Sequence, residues 1–495
     1  VTAPRQPVDF TDVQGLVRFG HSHLPSSVFH LLWVKDASAA RAWLGSAPVT
    51  SAVSEGGRPE QVLQVAFSAA GLLALGLEEG TVGGFSAAFT AGMAGDSNRS
   101  RRLGDTGPND PGQWRWGGVE AGVPHVLLML YATQARIVSW QEDLFNASFA
   151  QAFEHRFALP GGLGDGREHF GFMDGISQPA LDWQGESPPG GHWRDAYTHR
   201  LAAGDILLGY VNEYGLYTDR PLLDPARQPA AAVLPPAAEQ PQFRDLGRNG
   251  SYLVLRQLRQ DVPAFWQCLD RAAGGDPARR EQLAQAMVGR KRDGEPLLQA
   301  ADRNAFTYDS DPAGQCCPLG AHVRRANPRT GDFPPGTSGP FKRLLRTLGL
   351  GSPSGRDDLI ASTRFHRLLR RGRVYGDTID LARALLETPG DADGDDERGL
   401  LFVCLGADIA RQFEFVQNAW LNSAKFAALR DESDPLLGNR QPLPGALHSD
   451  QFSLPRAGAP AQRIAGLPQF VQVRGGEYFF LPGLRALKFI AGSER

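Results

Sequence analysis

The strand and helix signals of this chain run in one order, break at a Pro/Ala-rich stretch, and then begin again in a similar order. Before the break, residues 27–35 (SVFHLLWVK) read as a strand and 38–44 as the start of a helix. Residues 61–67 form a second strand, the apolar run from Ala69 a second helix, and 125–132, the most apolar stretch, a third strand. The break is 221–241 (PLLDPARQPAAAVLPPAAEQP), which has no periodicity and reads as a linker or long surface loop. After it come a strand at 251–256, a helix over 263–272, a strand at 400–404, a helix over 408–422 and a strand near 470–473.

This order predicts an α+β protein of two ferredoxin-like halves, each an antiparallel sheet with helices packed on one face. The halves divide as residues 1–230 and 231–495. No repeat in sequence relates them, so the duplication is architectural. Residues 331–362 interrupt the second half, carrying a basic helical piece (FKRLLRTL, 341–348) between Gly- and Pro-rich flanks, and read as an insertion.

At 495 residues the chain is long enough for two cores, and 42% hydrophobic with 21% charged residues is ordinary globular composition. A net charge of −3 argues against a nucleic-acid partner, and no apolar run approaches a membrane span. The four cysteines, Cys268, Cys316, Cys317 and Cys404, show no metal-ligand spacing and favour a reducing compartment. The beginning, Val1-Thr-Ala-Pro-Arg5, lacks a basic-then-apolar leader, which makes the expected location cytoplasmic, or secreted if a leader has been removed.

Two stretches carry the chemistry. Gly171-Phe-Met-Asp174-Gly-Ile-Ser-Gln-Pro179 sets a carboxylate in a Gly-flanked turn. Asp-Gly alone is a turn signal, but the flanking glycines also let a planar ligand approach a carboxylate able to take and return a proton. Cys317-Pro-Leu-Gly-Ala-His322-Val-Arg-Arg-Ala-Asn-Pro-Arg329 sets an imidazole beside Arg324, Arg325 and Arg329, whose guanidinium groups suit the carboxylate arms of a haem. A third segment runs His366-Arg-Leu-Leu-Arg370-Arg371-Gly-Arg-Val-Tyr375-Gly376, placing a permanently charged arginine before a Gly-x-x-Tyr-Gly turn. In the fourth, Gly399 to Cys404 leads to Asp408–Trp420, where Phe413, Val416 and Trp420 share one helical face and Glu414 lies on the neighbouring stripe. A haem-ligating imidazole needs a carboxylate on its far nitrogen, and Glu414 is the candidate.

These segments resemble the dye-decolourising peroxidase family. Its GxxDG segment is matched at Gly171–Gly175, and its proximal-histidine segment, AHxRxxNPR-like, at Ala321–Arg329. The likeness extends to Asp12-Val-Gln-Gly15, Leu208–Tyr214, Asn249–Leu253 and Gly475–Phe480, and so covers nearly the whole chain. The resemblance implies one haem b, with His322 as its axial ligand and Glu414 as the partner of His322. It also implies Asp174 and Arg370 on the distal side, and Leu400 and Phe402 lining the distal pocket. Arg324 is the nearest basic neighbour expected to contact the cofactor. Hydrogen peroxide and aromatic donors such as dyes and phenols are the implied partners, and a homo-oligomer is left open. Trp420 is nominated as a surface relay for dyes too bulky for the pocket. The alternative is a haem-binding, iron-releasing protein of the same fold.

The sequence departs from the family at Val374, where proline is usual, and in the long interval from His322 to Arg370, which the 331–362 insertion accounts for. Arg371 therefore competes with Arg370. Other constellations carry less: Gly162-Leu-Gly164-Asp-Gly166 lacks the strand and helix of a dinucleotide site, the acidic run 391–397 lacks a full calcium loop, and His21-Ser-His23 offers too few ligands for zinc.

Overall fold

The computed structural model describes residues 6–53, 57–186, 200–300, 302–304, 306–329, 363–390, 396–440 and 448–492. The 331–362 insertion, residues 391–395 of the acidic run and the first five residues lie outside them.

The main sheet is built from β1 (Ser26–Val34), β2 (Gln61–Phe67), β3 (Val126–Ala132), β4 (Phe153–Gly162), β5 (Ser251–Gln260), β6 (Leu369–Arg370), β7 (Arg373–Tyr375), β8 (Gly399–Gly406) and β9 (Val471–Leu481). The first four pair antiparallel in the order β4-β1-β3-β2. The others pair with β6 and β7 on one edge of β8, β5 on its other edge, and β9 beyond β5. Both halves therefore have the same strand plan. They meet at two narrow seams, Phe67↔Phe480 and Gly162↔Val374, which close the strands into a ring.

Closure explains why these strands read as continuous apolar runs rather than alternating ones. All seven residues of β3 are buried. Leu127, Met129 and Tyr131 point inward with Phe29, Leu253, Val403 and Phe479, whereas Leu128 and Leu130 pack outward in a second cluster shared with the helices. The covering helices begin where the sequence caps them. Asp36 accepts a hydrogen bond from Ala39 N at the start of α1 (Ala37–Ser46). Asp261 does the same for Ala264 N at the start of α2 (Val262–Ala273), which Gly274 ends in a left-handed conformation.

The structure differs from the sequence expectation in four places. β4 carries exposed Glu154, His155 and Arg156, which mask its strand character. β9 runs on to Leu481 through an irregularity between Val473 and Gly475, where the Trp116 ring lies so close that a Cβ on Gly475 would sit 2.4 Å from it. The 221–241 stretch is no free linker, because Leu223, Ala231 and Leu234 are buried in the main cluster with Leu487 and Ile490. The helix expected over 408–422 is π-wound at Ala410–Glu414 and Val416–Leu421, which changes the faces its residues occupy.

One core group links fold stability to pH. His30 on β1 is 1% exposed, packs edge-on against Phe145 and lies 3.0 Å from the His155 ring. Burial, with His155 beside it, lowers its pKa from 6.5 to about 3. Between those values the unfolded chain binds a proton that the folded chain does not, so stability falls as pH drops from about 6.5 towards 3. Replacing His30 with Gln, which cannot ionise, should flatten that dependence in denaturant titrations at several pH values. An unchanged slope would assign the acid sensitivity to other groups.

Candidate functional site

A cavity of about 260 Å³ opens against the second sheet. This is far more than the ~10–15 Å³ that one water needs, so it is a ligand-sized space rather than a packing defect. Its walls are mainly apolar, from Phe170, Leu258, Leu400, Phe402, Phe413 and Leu437 among others. Leu400 and Phe402 reach it together because they are two residues apart on β8. The widened helix contributes Phe413, Gln417 and Leu421, each four residues from the last.

One side of the cavity is the glycine-flanked turn. Gly171 and Gly175 have φ of +94° and +76°, the left-handed region that glycine occupies without strain. The turn is held by backbone and carboxylate bonds: Phe170 N and Phe172 N each donate to the Glu168 carboxylate at 2.9 Å, Met173 N to Arg292 O, and Asp174 N to Gly166 O. Asp174 Oδ1 faces Arg370 Nη1 at 3.4 Å, both side chains remaining partly accessible. Arg370 is fixed in turn by Nη2 donating to Ile176 O at 2.7 Å and its backbone N donating to Gln178 Oε1. Arg371 points the other way, donating to Leu16 O and Val17 O, and does not line the cavity. Of the two arginines, chain direction at the end of β6 thus brings Arg370 and not Arg371 to the cavity.

The other side carries His322 at the start of a short helix, His322–Ala326. Its Nδ1 lies 3.0 Å from Asp434 Oδ2. Asp434 is 0% exposed, and its other oxygen accepts from Leu436 N and Leu437 N at 2.9 and 2.8 Å. Burial opposes charge on the His322 ring, but Asp434 outweighs it and the imidazole pKa is raised. Burial likewise pushes the Asp434 carboxyl up, yet His322 and the amides hold it below its ordinary value. The bond to Asp434 occupies Nδ1, so Nε2 is the ring nitrogen left for a ligand in the cavity.

Three expectations are corrected. Glu414 is not the partner of His322: it accepts from Arg99 Nε at 2.7 Å and from the Tyr478 hydroxyl at 3.0 Å. The π winding turns it away from the cavity that Phe413 and Gln417 face. Arg324 does not reach the cavity, because its guanidinium is held by Asp311 and the Cys317 carbonyl. Arg325 and Arg329 are similarly engaged, the first with Gly320 O, Trp420 O, Ser423 O and Glu432 O, the second with Phe306 O and Ser177 Oγ. Trp420 is 5% exposed and packs with Val416, Leu421 and Phe426, so it is not at the surface.

The cations that do line the cavity are Arg256, Arg290, Arg367 and Arg370. Only the last was singled out from sequence. Asp434 was also missed: it lies in a Glu-Ser-Asp-Pro loop whose only local signal is a turn. Among the described residues no cluster of three or more His, Cys, Asp or Glu is placed to hold a metal ion, and no helix is long and apolar enough to cross a membrane.

No family model matches the chain. Whole-chain relatives do. Dye-decolorizing peroxidase msp1 of Mycetinis scorodonius is 30% identical over 98% of this chain and 88% of its own length. The multifunctional dye peroxidase DyP2 of an Amycolatopsis species is 30% identical over 77% of this chain and 74% of its own. A solved dye-decolorizing peroxidase in complex with 2,6-dimethoxyphenol superposes with a TM-score of 0.70 and 25% identity, covering 98% of this chain and all of that one. The shared length, the paired sheets and a cavity between a glycine-flanked Asp and a carboxylate-held His all agree: the chain belongs to the dye-decolourising peroxidase family.

Proposed function

We propose that His322, Asp434, Asp174 and Arg370 are the working residues of a haem-dependent peroxidase centred on this cavity. Membership of the family makes the chain an oxidoreductase that uses hydrogen peroxide to oxidise dyes and phenols with one haem b. The cavity suits that group. One imidazole is held through its far nitrogen, the walls are apolar, and Arg256, Arg290 and Arg367 border the space, Arg256 paired with Asp105 and Arg290 bonded to Gly294 O, Arg303 O and Ser177 Oγ. When bound, haem supplies the redox chemistry, and the protein supplies ligation, acid–base groups and fixed charge.

In this reading His322 Nε2 would hold the haem iron, with Asp434 fixing the ring tautomer and raising its basicity through Nδ1. Asp174 would take a proton from hydrogen peroxide and return it to the departing oxygen. Arg370, kept beside Asp174 by Ile176 O, stabilises charge as the O–O bond breaks. The facing Asp174–Arg370 pair carries the proposal, because a haem carrier without turnover has no use for an acid–base group and a fixed cation over its cavity. A phenol such as 2,6-dimethoxyphenol, which the solved relative binds, is the donor class we assign to the enzyme. The four unpaired cysteines support a reducing compartment.

Asp174→Asn and Arg370→Leu each remove one of these functions while keeping much of the shape. Stopped-flow oxidation by peroxide should slow by ~10²-fold or more in at least one of them, the usual size of such contributions. Arg371→Leu is the adjacent control and should react at the parental rate; parental rates in both cavity variants would remove the assignment. On the other side, Asp434→Asn should weaken haem affinity by ~10–100-fold, as loss of a ligand's supporting carboxylate does. Glu414→Gln should leave that affinity in place. The reverse pattern in haem titrations would restore Glu414 as the partner.

A further inference from the structure

Among the described residues, Met173 supplies the only sulfur in the cavity wall, and it stands one residue before Asp174. The chain has four methionines. Met93, Met129 and Met287 are 0% exposed, whereas Met173 is only partly buried. Its backbone is fixed, Met173 N donating to Arg292 O at 3.0 Å. On the outer side, Arg303 Nη1 points at Met173 Sδ from 3.8 Å. Arg303 spends Nε and Nη2 on Glu295 Oε1, at 3.0 and 2.6 Å. Among the described residues its Nη1 has no acceptor better than the sulfur.

We propose that Met173 is a modification site, oxidised to the sulfoxide by excess hydrogen peroxide, and that this slows the reaction of the site beside it. The step is an oxygen transfer. A lone pair of Met173 Sδ attacks one oxygen of hydrogen peroxide, and the S–O bond forms as the O–O bond breaks. The departing hydroxide takes the proton left on the sulfoxide oxygen and becomes water. Sulfur is oxidised, peroxide is reduced, and no further reagent is needed. A thioether is a weak acceptor, whereas its sulfoxide is polar, so Arg303 Nη1 suits the oxidised side chain better than the reduced one. Drawn towards Arg303, the S–O dipole replaces an apolar piece of wall next to Asp174, the residue that faces Arg370. While donors sustain turnover, peroxide is consumed. When they run short it persists, and Met173 is oxidised.

The inference rests on the peroxidase site proposed above, and the test separates the two. Holoenzyme and its Met173→Leu variant, which keeps the bulk without the sulfur, are held with excess hydrogen peroxide and no donor, then freed of peroxide. Peptide mass spectrometry locates added oxygen. Stopped-flow reaction with fresh peroxide gives each protein's rate relative to its own untreated rate. If the haem absorbance of the untreated parent does not respond to peroxide, the site reading fails, while the peptide masses still report on Met173. The expected result is sulfoxide at Met173, with Met93, Met129 and Met287 left as thioethers. The parent should lose most of its rate and recover it after treatment with methionine sulfoxide reductases, and Met173→Leu should lose less. A Met173 that stays a thioether, oxidation spread evenly over the four methionines, or an equal fractional loss in parent and variant would overturn the proposal.

Discussion

The arrangement around the cavity depends on one buried charge, the carboxylate of Asp434. An ionised carboxylate with no exposed surface is tolerated only where both of its oxygens are hydrogen-bonded. Asp434 meets this with His322 Nδ1 on one oxygen and the Leu436 and Leu437 amides on the other. Its backbone is tied as well, Asp434 N donating to Leu421 O at the end of the π-wound helix and Arg440 Nη1 donating to Asp434 O. Arg325 completes the unit by gathering carbonyls from the helix end and the loop before Asp434. The imidazole is therefore oriented by the same bonds that join three segments of the second half.

The opposite wall has a different problem, because Asp174 belongs to a loop leaving the first sheet while the cavity lies against the second. Among the described residues the two halves pair at two single-residue seams, so the loop has to be fixed by its own contacts. Ser177 Oγ receives Arg329 and Arg290, Glu168 receives Gln260 Nε2 from β5, and Arg167 bridges Gly171 O and Arg292 O. Arg329, which reads from sequence as a cofactor contact, instead joins the histidine segment to the carboxylate segment. The two motifs are thus coupled through a serine and an arginine that belong to the motifs themselves.

Three strands of each half were visible in local pattern and Asp174, His322 and Arg370 in motif, because each lies on a regular element or a glycine-marked turn, whereas β4, β6 and β7, short or bearing exposed charges, were not. What else stayed hidden depends on winding and on long-range pairing. An α-helical wheel places Glu414 beside the cavity face, but the π turns move it to Arg99 and Tyr478. Asp434 pairs with a residue 112 positions earlier, a relation that no local spacing encodes. Arg324 and Arg325 look like a cationic patch in one dimension, whereas burial makes them brackets for carbonyls, since a buried guanidinium must spend its donors close by.

The most direct test of the account is the absorption spectrum and haem content of His322→Ala beside the parent holoenzyme. With the axial nitrogen removed, the remaining contacts are dispersive or with the carboxylate arms. The account predicts a lost Soret band, or one shifted to a form without histidine ligation, and reduced haem content. An unchanged spectrum at full haem content would contradict it and move the ligand to another cavity-lining imidazole, with His366 the next in position.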